Sequence, residues 1–91
     1  MEHVEGAVDR GDVKLYALST CVWCKKTRAL LEEWGVAYDY EYVDLAPPAR
    51  QDEIEAEIVA LAGRASYPTL IAAGGCVVGF RPDEIKELLK L

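Results

Sequence analysis

The sequence predicts an α/β domain with the element order β-α-β-α-β-β-α, in which a mixed four-stranded sheet is flanked by helices. Three observations lead there. A short apolar run over residues 13–18 gives way at residue 22 to apolar side chains at helical spacing. A second strand-then-helix succession follows over residues 36–62, and a glycine pair then separates two further apolar runs ahead of a last amphipathic stretch. The first strand–helix–strand unit is expected to be parallel and right-handed, and the glycine pair to add an antiparallel hairpin.

Residues 1–12 are polar, contain two glycines and show no period, which predicts a flexible lead-in to a domain spanning 13–91. Val13 to Leu18 reads as a buried strand, after which Ser19 and Thr20 offer hydroxyls to cap a helix. In that helix Thr27, Leu30, Leu31 and Trp34 fall at i, i+3, i+4 and i+7, while Lys25, Lys26, Arg28, Glu32 and Glu33 take the other face and Gly35 stops it. Tyr38, Tyr40 and Tyr42 alternate with Asp39 and Glu41, as in a strand with one face covered. A turn over 44–48 leads to a helix over 49–62 with Ile54, Ile58 and Leu61 inward and Gly63 at its end. Residues 67–72 form a short strand entered through Pro68, Gly74-Gly75 the hairpin turn, and 76–78 the return. The final helix has Pro82 in its first turn, Asp83 and Glu84 at its positive end, Ile85, Leu88 and Leu89 inward, and Lys86 and Lys90 towards its negative end.

At 91 residues the chain is one domain with a modest core, and 52% apolar with 29% charged residues belongs to the ordinary globular class. No apolar run reaches membrane-spanning length, and the first dozen residues lack the basic start and apolar centre of a secretory signal, so a cytoplasmic location is expected. Three cysteines leave one over after any single pairing, unlike a secreted disulfide framework. A formal charge of −6 argues against non-specific contact with nucleic acid or anionic membrane.

The chemistry centres on Cys21-Val22-Trp23-Cys24, placed where strand gives way to helix. As a structural staple this pair is poor, because so small a loop is worth roughly 2 kcal/mol on the chain-entropy estimate. As a switch it suits redox work, since two thiols one helical turn apart can interconvert between dithiol and disulfide with little backbone movement. Only a thiolate attacks a disulfide, and a free cysteine is about 3% ionised at neutral pH. Helix-terminal amides, the helix dipole and the positive charge of Lys25 are placed to favour the anion. Cys21 is expected to be the nucleophile, and Cys24, inside the first turn, to resolve the mixed disulfide. The competing readings are idle thiols or half of a metal site. A metal site wants four ligands, and the chain adds only Cys76 and His3. Cys76 reads as a buried thiol in the hairpin, Trp34 as core, the three tyrosines as sheet residues, and Trp23 as a flank for a docked partner. Pro68 marks a turn in which the backbone of Tyr67 could pair with an extended partner segment.

Cys21-Val22-Trp23-Cys24, Tyr67-Pro68-Thr69, Gly79-Phe80-Arg81-Pro82-Asp83 and the element order together resemble a glutaredoxin-like member of the thioredoxin superfamily over 13–91. The resemblance implies a thioredoxin-like (glutaredoxin) fold with Pro68 in cis. It also implies a thiol-disulfide oxidoreductase whose cofactor is its own redox-active Cys21–Cys24 disulfide. Thr20, Val22, Trp23, Tyr67, Pro68, Gly79, Phe80 and Arg81 would form the partner groove, with Lys25 supporting the thiolate. Glutathione-using glutaredoxins commonly carry a lysine three residues before the first cysteine and an acidic pair after the glycine turn; here Leu18 and Arg81-Pro82 stand in those places. Each missing charge-assisted contact is worth about 1.5–3 kcal/mol. The segment from Gly79 to Asp83 is similar to the NrdH-redoxins, which take electrons from thioredoxin reductase and NADPH and reduce ribonucleotide reductase, although Trp23 stands where those usually have a polar residue. The implied partners are protein disulfides, with thioredoxin reductase or glutathione as donor, and the expected state is a monomer. A glutathione-dependent glutaredoxin, and an iron–sulfur or metal carrier sharing the paired thiols between two chains, are the alternatives.

Overall fold

A computed structural model describes residues 1–91. Its elements are β1 (Glu2–Val4), β2 (Val13–Ala17), α1 (Val22–Glu33), β3 (Tyr38–Tyr42), a single 3-10 turn (Val43–Leu45), α2 (Pro48–Ala62), β4 (Thr69–Ala72), β5 (Gly75–Val78) and α3 (Pro82–Leu89). The sheet runs β1-β3-β2-β4-β5. The β2–β3 pair is parallel across the α1 crossover, and the other three pairs are antiparallel. The mixed α/β sheet is therefore as expected in class and has five strands instead of four.

Side-chain alternation along β2 divides the core. Val13, Leu15 and Ala17 join Leu31 of α1, Leu70 and Ala72 of β4, and Ile85 and Leu89 of α3 in one cluster. On the opposite face Tyr16 packs with Val43 and with Ile54 and Ile58 of α2. Within this second layer Tyr16 Oη donates to Glu57 Oε1 at 2.6 Å, and Lys14 Nζ donates to the other carboxylate oxygen. Partial burial pushes the Glu57 carboxyl up, but these two hydrogen bonds outweigh it and hold the group below the usual carboxylate range. No helix is long and apolar enough to cross a membrane.

The structure corrects several local expectations. The lead-in is ordered at its start: β1 pairs with β3 in the register Glu2↔Tyr40, and Val8 bridges Val36. Gly6 permits this close approach, since a Cβ there would lie 2.4 Å from the Gly35 carbonyl oxygen and 2.6 Å from the Ala37 nitrogen. Arg28 leaves the solvent face of α1 to lie over Tyr40, its guanidinium carbon 3.7 Å from the ring centroid, and donates to Tyr38 Oη at 3.0 Å and Tyr42 Oη at 2.7 Å. The alternating tyrosines thus have a cation as their cover. Leu61 is 44% exposed, because α2 presents Ile54, Ile58 and Ala62 to the sheet instead. The hairpin turns one residue early, at Ala73 (φ 50°) and Gly74 (φ 76°), the pair of positive φ angles that a tight two-residue hairpin requires. Cys76 on edge strand β5 is half-buried rather than enclosed, and Trp34, also half-buried, packs against the core from the end of α1.

His3 ties β1 to its neighbour. Its Nδ1 lies 2.7 Å from Asp39 Oδ1 and its Nε2 3.3 Å from Glu5 Oε1. Both partners can only accept when ionised, so both ring nitrogens are best used as donors, which is the imidazolium form. The Asp39 hydrogen bond, reinforced by the charges of Glu5 and Asp9, raises the His3 pKa above its ordinary 6.5. A raised histidine pKa adds stability that is fully present below the unfolded value and lost as pH rises through the folded one. Amide exchange protection in β1 should accordingly fall as pH rises through the His3 titration, and His3→Gln should flatten that dependence while leaving β2 and β4 protected.

Candidate active site

Helix α1 begins on a cysteine. Cys21 follows the carboxyl end of β2 as the N-cap residue, with extended backbone (φ −89°, ψ 118°), and its Sγ accepts a hydrogen bond from the Cys24 backbone N–H at 3.2 Å. The expected caps, Ser19 and Thr20, do not serve as such. Thr20 is exposed, whereas Ser19 donates its backbone N–H to Asp44 Oδ1 at 2.8 Å and its hydroxyl to Asp44 Oδ2. Those bonds, the hydroxyl's first, hold the Asp44 carboxyl below its usual range.

The helical period then separates the two thiols. Cys24, Thr27 and Leu31 share the buried stripe of α1, so Cys24 is 0% exposed while Cys21 remains partly accessible. Cys24 Sγ accepts the Leu18 backbone N–H at 3.4 Å. Burial pushes the Cys24 thiol up to about 12, the Cys21 contact adds to the rise, and the Leu18 hydrogen bond opposes it. Lys25 is exposed, and it is its backbone N–H that reaches the motif, bonding the Cys21 carbonyl at 3.1 Å.

Beside the cysteines runs a groove of about 230 Å³ lined by Trp23, Tyr67, Pro68, Gly79 and Phe80. The Tyr67–Pro68 peptide is cis. The Pro68 carbonyl accepts the Gly79 N–H at 2.8 Å, fastening the two loops together. Gly79 has φ 89°, which disfavours any side chain there. Trp23 is 54% exposed and lies against Phe80 with ring centroids 5.6 Å apart, making one wall, and Lys26 Nζ sits 4.7 Å from the Trp23 ring centroid. Of the other expected groove residues, exposed Thr20 and Val22 flank the motif outside this lining. Arg81 is also outside the lining, donating to the Val78 carbonyl at 3.0 Å and pairing with Glu84 at 3.4 Å. A larger hollow of about 470 Å³ between Met1, Tyr42, Leu45 and Pro47 contains neither cysteine. No group of three or more His, Cys, Asp or Glu side chains in the chain is arranged to hold a metal ion.

The sequence reading gives Ser19 only as a helix cap, and it misses the Ser19–Asp44 pairing and the Leu18 amide. The signal lay in the parallel register: with Ala17 opposite Tyr42, residues two further along each strand come together, and these are Ser19 and Asp44.

Three comparisons bear on this arrangement. The family model described as glutaredoxin matches residues 13–77. The crystal structure of a glutaredoxin from Methanosarcina mazei superposes with a TM-score of 0.93 at 45% identity, covering 99% of this chain and 87% of that one. Among curated relatives, a glutaredoxin-like 8.6 kDa protein in a rubredoxin operon of Clostridium pasteurianum is 31% identical over 86% of this chain and 97% of its own length. The glutaredoxin-like protein NrdH of Salmonella typhimurium is 32% identical over 84% of this chain and 86% of its own.

The unequal burial of the paired thiols has a direct chemical readout. Iodoacetamide at mildly alkaline pH should alkylate Cys21 and Cys76 in the folded protein and leave Cys24 unmodified until denaturant is added. Peptide mass spectrometry showing Cys24 labelled as fast as Cys21 would contradict the enclosed placement.

Proposed function

Because the chain belongs to the glutaredoxin family, we propose that it is a thiol-disulfide oxidoreductase reducing protein disulfides through Cys21 and Cys24. The supporting observation is the asymmetry of the pair: one sulfur at a helix N-cap within reach of a partner, the other buried one turn behind it. In the first step the Cys21 thiolate attacks a partner disulfide, the partner's S–S bond breaks, and the departing sulfur takes up a proton. In the second, Cys24 gives up its proton and attacks Cys21 Sγ, closing the Cys21–Cys24 disulfide and releasing the second partner thiol. Two electrons pass to the partner.

Trp23, Tyr67, Pro68, Gly79 and Phe80 receive the chain flanking the partner's cysteine, with Thr20, Val22 and Arg81 at the rim, and the exposed Lys25 supplies positive charge on the first turn of α1. The cycle needs no bound cofactor. A cytoplasmic setting suits it, since dithiols there are kept reduced, and the chain acts as a monomer. Recharging by thioredoxin reductase and NADPH, with ribonucleotide reductase as a target, is the reading favoured by the NrdH relative and by Leu18 and the Glu84-paired Arg81 at the positions where glutathione's charges would be held. Glutathione is the alternative donor.

NADPH oxidation by the disulfide form in the presence of a model disulfide, with thioredoxin reductase compared against glutathione plus glutathione reductase, tests both levels. Turnover with thioredoxin reductase alone is expected; turnover with glutathione alone would reassign the donor, and turnover with neither would remove the oxidoreductase reading. Cys21→Ser should reduce the rate to background. Cys24→Ser should accumulate a mixed disulfide on Cys21, visible as a mass adduct, and an adduct on any other cysteine would reverse the assignment of roles.

A further inference from the structure

Leu18, just ahead of α1, is hydrogen-bonded through its backbone to both cysteines. The Leu18 N–H donates to Cys24 Sγ at 3.4 Å, and the Leu18 carbonyl accepts the Cys21 N–H at 3.2 Å. What holds the segment from Leu18 to Cys21 is not in it. Ser19 is fastened through its N–H and its hydroxyl to the two oxygens of one carboxylate, Asp44, which stands in the 3-10 turn after β3. An ionised carboxylate accepting two donors from one residue fixes both the position and the orientation of that residue's peptide. The peptide in question is Leu18–Ser19, whose neighbour, the Leu18 amide, points at the buried sulfur.

We propose that Asp44 is a positioning residue for the resolving step: by clamping Ser19 it keeps the Leu18 N–H aimed at Cys24 Sγ, where it stabilises the thiolate that must form before Cys24 can attack. The inference rests on the dithiol reading given above. In that step the Cys24 S–H proton leaves, the Cys24–Cys21 S–S bond forms, the Cys21–partner S–S bond breaks, and the partner sulfur departs with a proton, so that electrons and protons balance within the pair. Two opposing effects of Asp44 can be told apart. Its negative charge opposes an anion at Cys24, whereas its two hydrogen bonds support one through Leu18. Asp44→Asn removes the charge and keeps a side chain able to accept from the Ser19 N–H; Asp44→Ala removes both. A clamp predicts that the alanine variant is slow and the asparagine variant is rescued. A purely electrostatic role predicts that both are faster than the parent.

The experiment mixes the reduced protein with excess 5,5′-dithiobis(2-nitrobenzoate) in a Cys76→Ser background, which removes the third, half-buried thiol. The first equivalent of nitrothiobenzoate reports attack by Cys21, and the second reports resolution by Cys24. In Asp44→Ala the second phase should slow about tenfold relative to the first at neutral pH, the loss of thiolate that accompanies a rise of about one pKa unit, and its pH profile should move to higher pH. Asp44→Asn should recover most of the rate. An unchanged or faster second phase in folded Asp44→Ala, or an asparagine variant as slow as alanine, would overturn the proposal. Should Asp44→Ala not fold, Ser19→Ala, which removes one of the two bonds, serves in its place with a decrease of about threefold; no decrease there would equally overturn it. Failure of the parent protein to release the first equivalent would instead strike at the redox reading itself.

Discussion

Strand β2 has no solvent side, and the rest of the molecule depends on that. Its two edges are taken by β3 and β4, one face by α1 and α3, and the other by α2. Burying one aliphatic side chain such as Leu15 contributes roughly 1.5–3 kcal/mol, and within five residues β2 places Val13, Leu15 and Ala17 on one face and the buried ring of Tyr16 on the other. The strand is thereby held at both edges and on both faces, and whatever follows its carboxyl end inherits a fixed origin. Cys21 lies four residues beyond Ala17, close enough that the sheet sets its location and α1 sets its direction.

From that origin the helix does the chemical sorting. A spacing of three residues would be trivial in a loop. At a helix start it puts Cys21 outside the first turn, where its sulfur meets the Cys24 amide, and puts Cys24 on the stripe shared with Thr27 and Leu31. The same two side chains thus acquire different access to solvent from position alone, and burial raises the Cys24 thiol. The loops that complete the surroundings come from the far half of the chain, the cis Tyr67–Pro68 turn and the Gly79–Phe80 turn, joined by the Gly79 N–H to Pro68 carbonyl bond.

Features governed by neighbours in sequence were readable there. The period change at residue 22, the glycine stop at residue 35, the proline opening of α3 and the location of the cysteine pair all correspond to observed elements. What escaped was set by partners distant in sequence. Nothing in Glu2–Val4 signals a strand; it becomes one because the edge of β3 is free to pair with it and Gly6 lets the following chain pass close to α1's end. Arg28 looked solvent-facing by helical phase, yet three tyrosines on β3 provide rings and hydroxyls that recruit it. Leu61 kept the right period and still lies outside, since the seam between α2 and the sheet is narrower than the apolar stripe. The Ser19–Asp44 contact needed the strand register, which composition does not supply.

The placement of β1 has a consequence for the order in which the chain can assemble. Of the five strands Glu2–Val4 is made before the others, yet its partner residues Tyr38–Tyr40 follow more than thirty positions later, as the Glu2↔Tyr40 and Val4↔Tyr38 register shows. β3 in turn finds its place only by lying parallel to β2, which requires the α1 crossover to be in hand. The strand that precedes the other four in sequence therefore has no partner to pair with until the chain has been made as far as β3, and it closes one edge of the sheet.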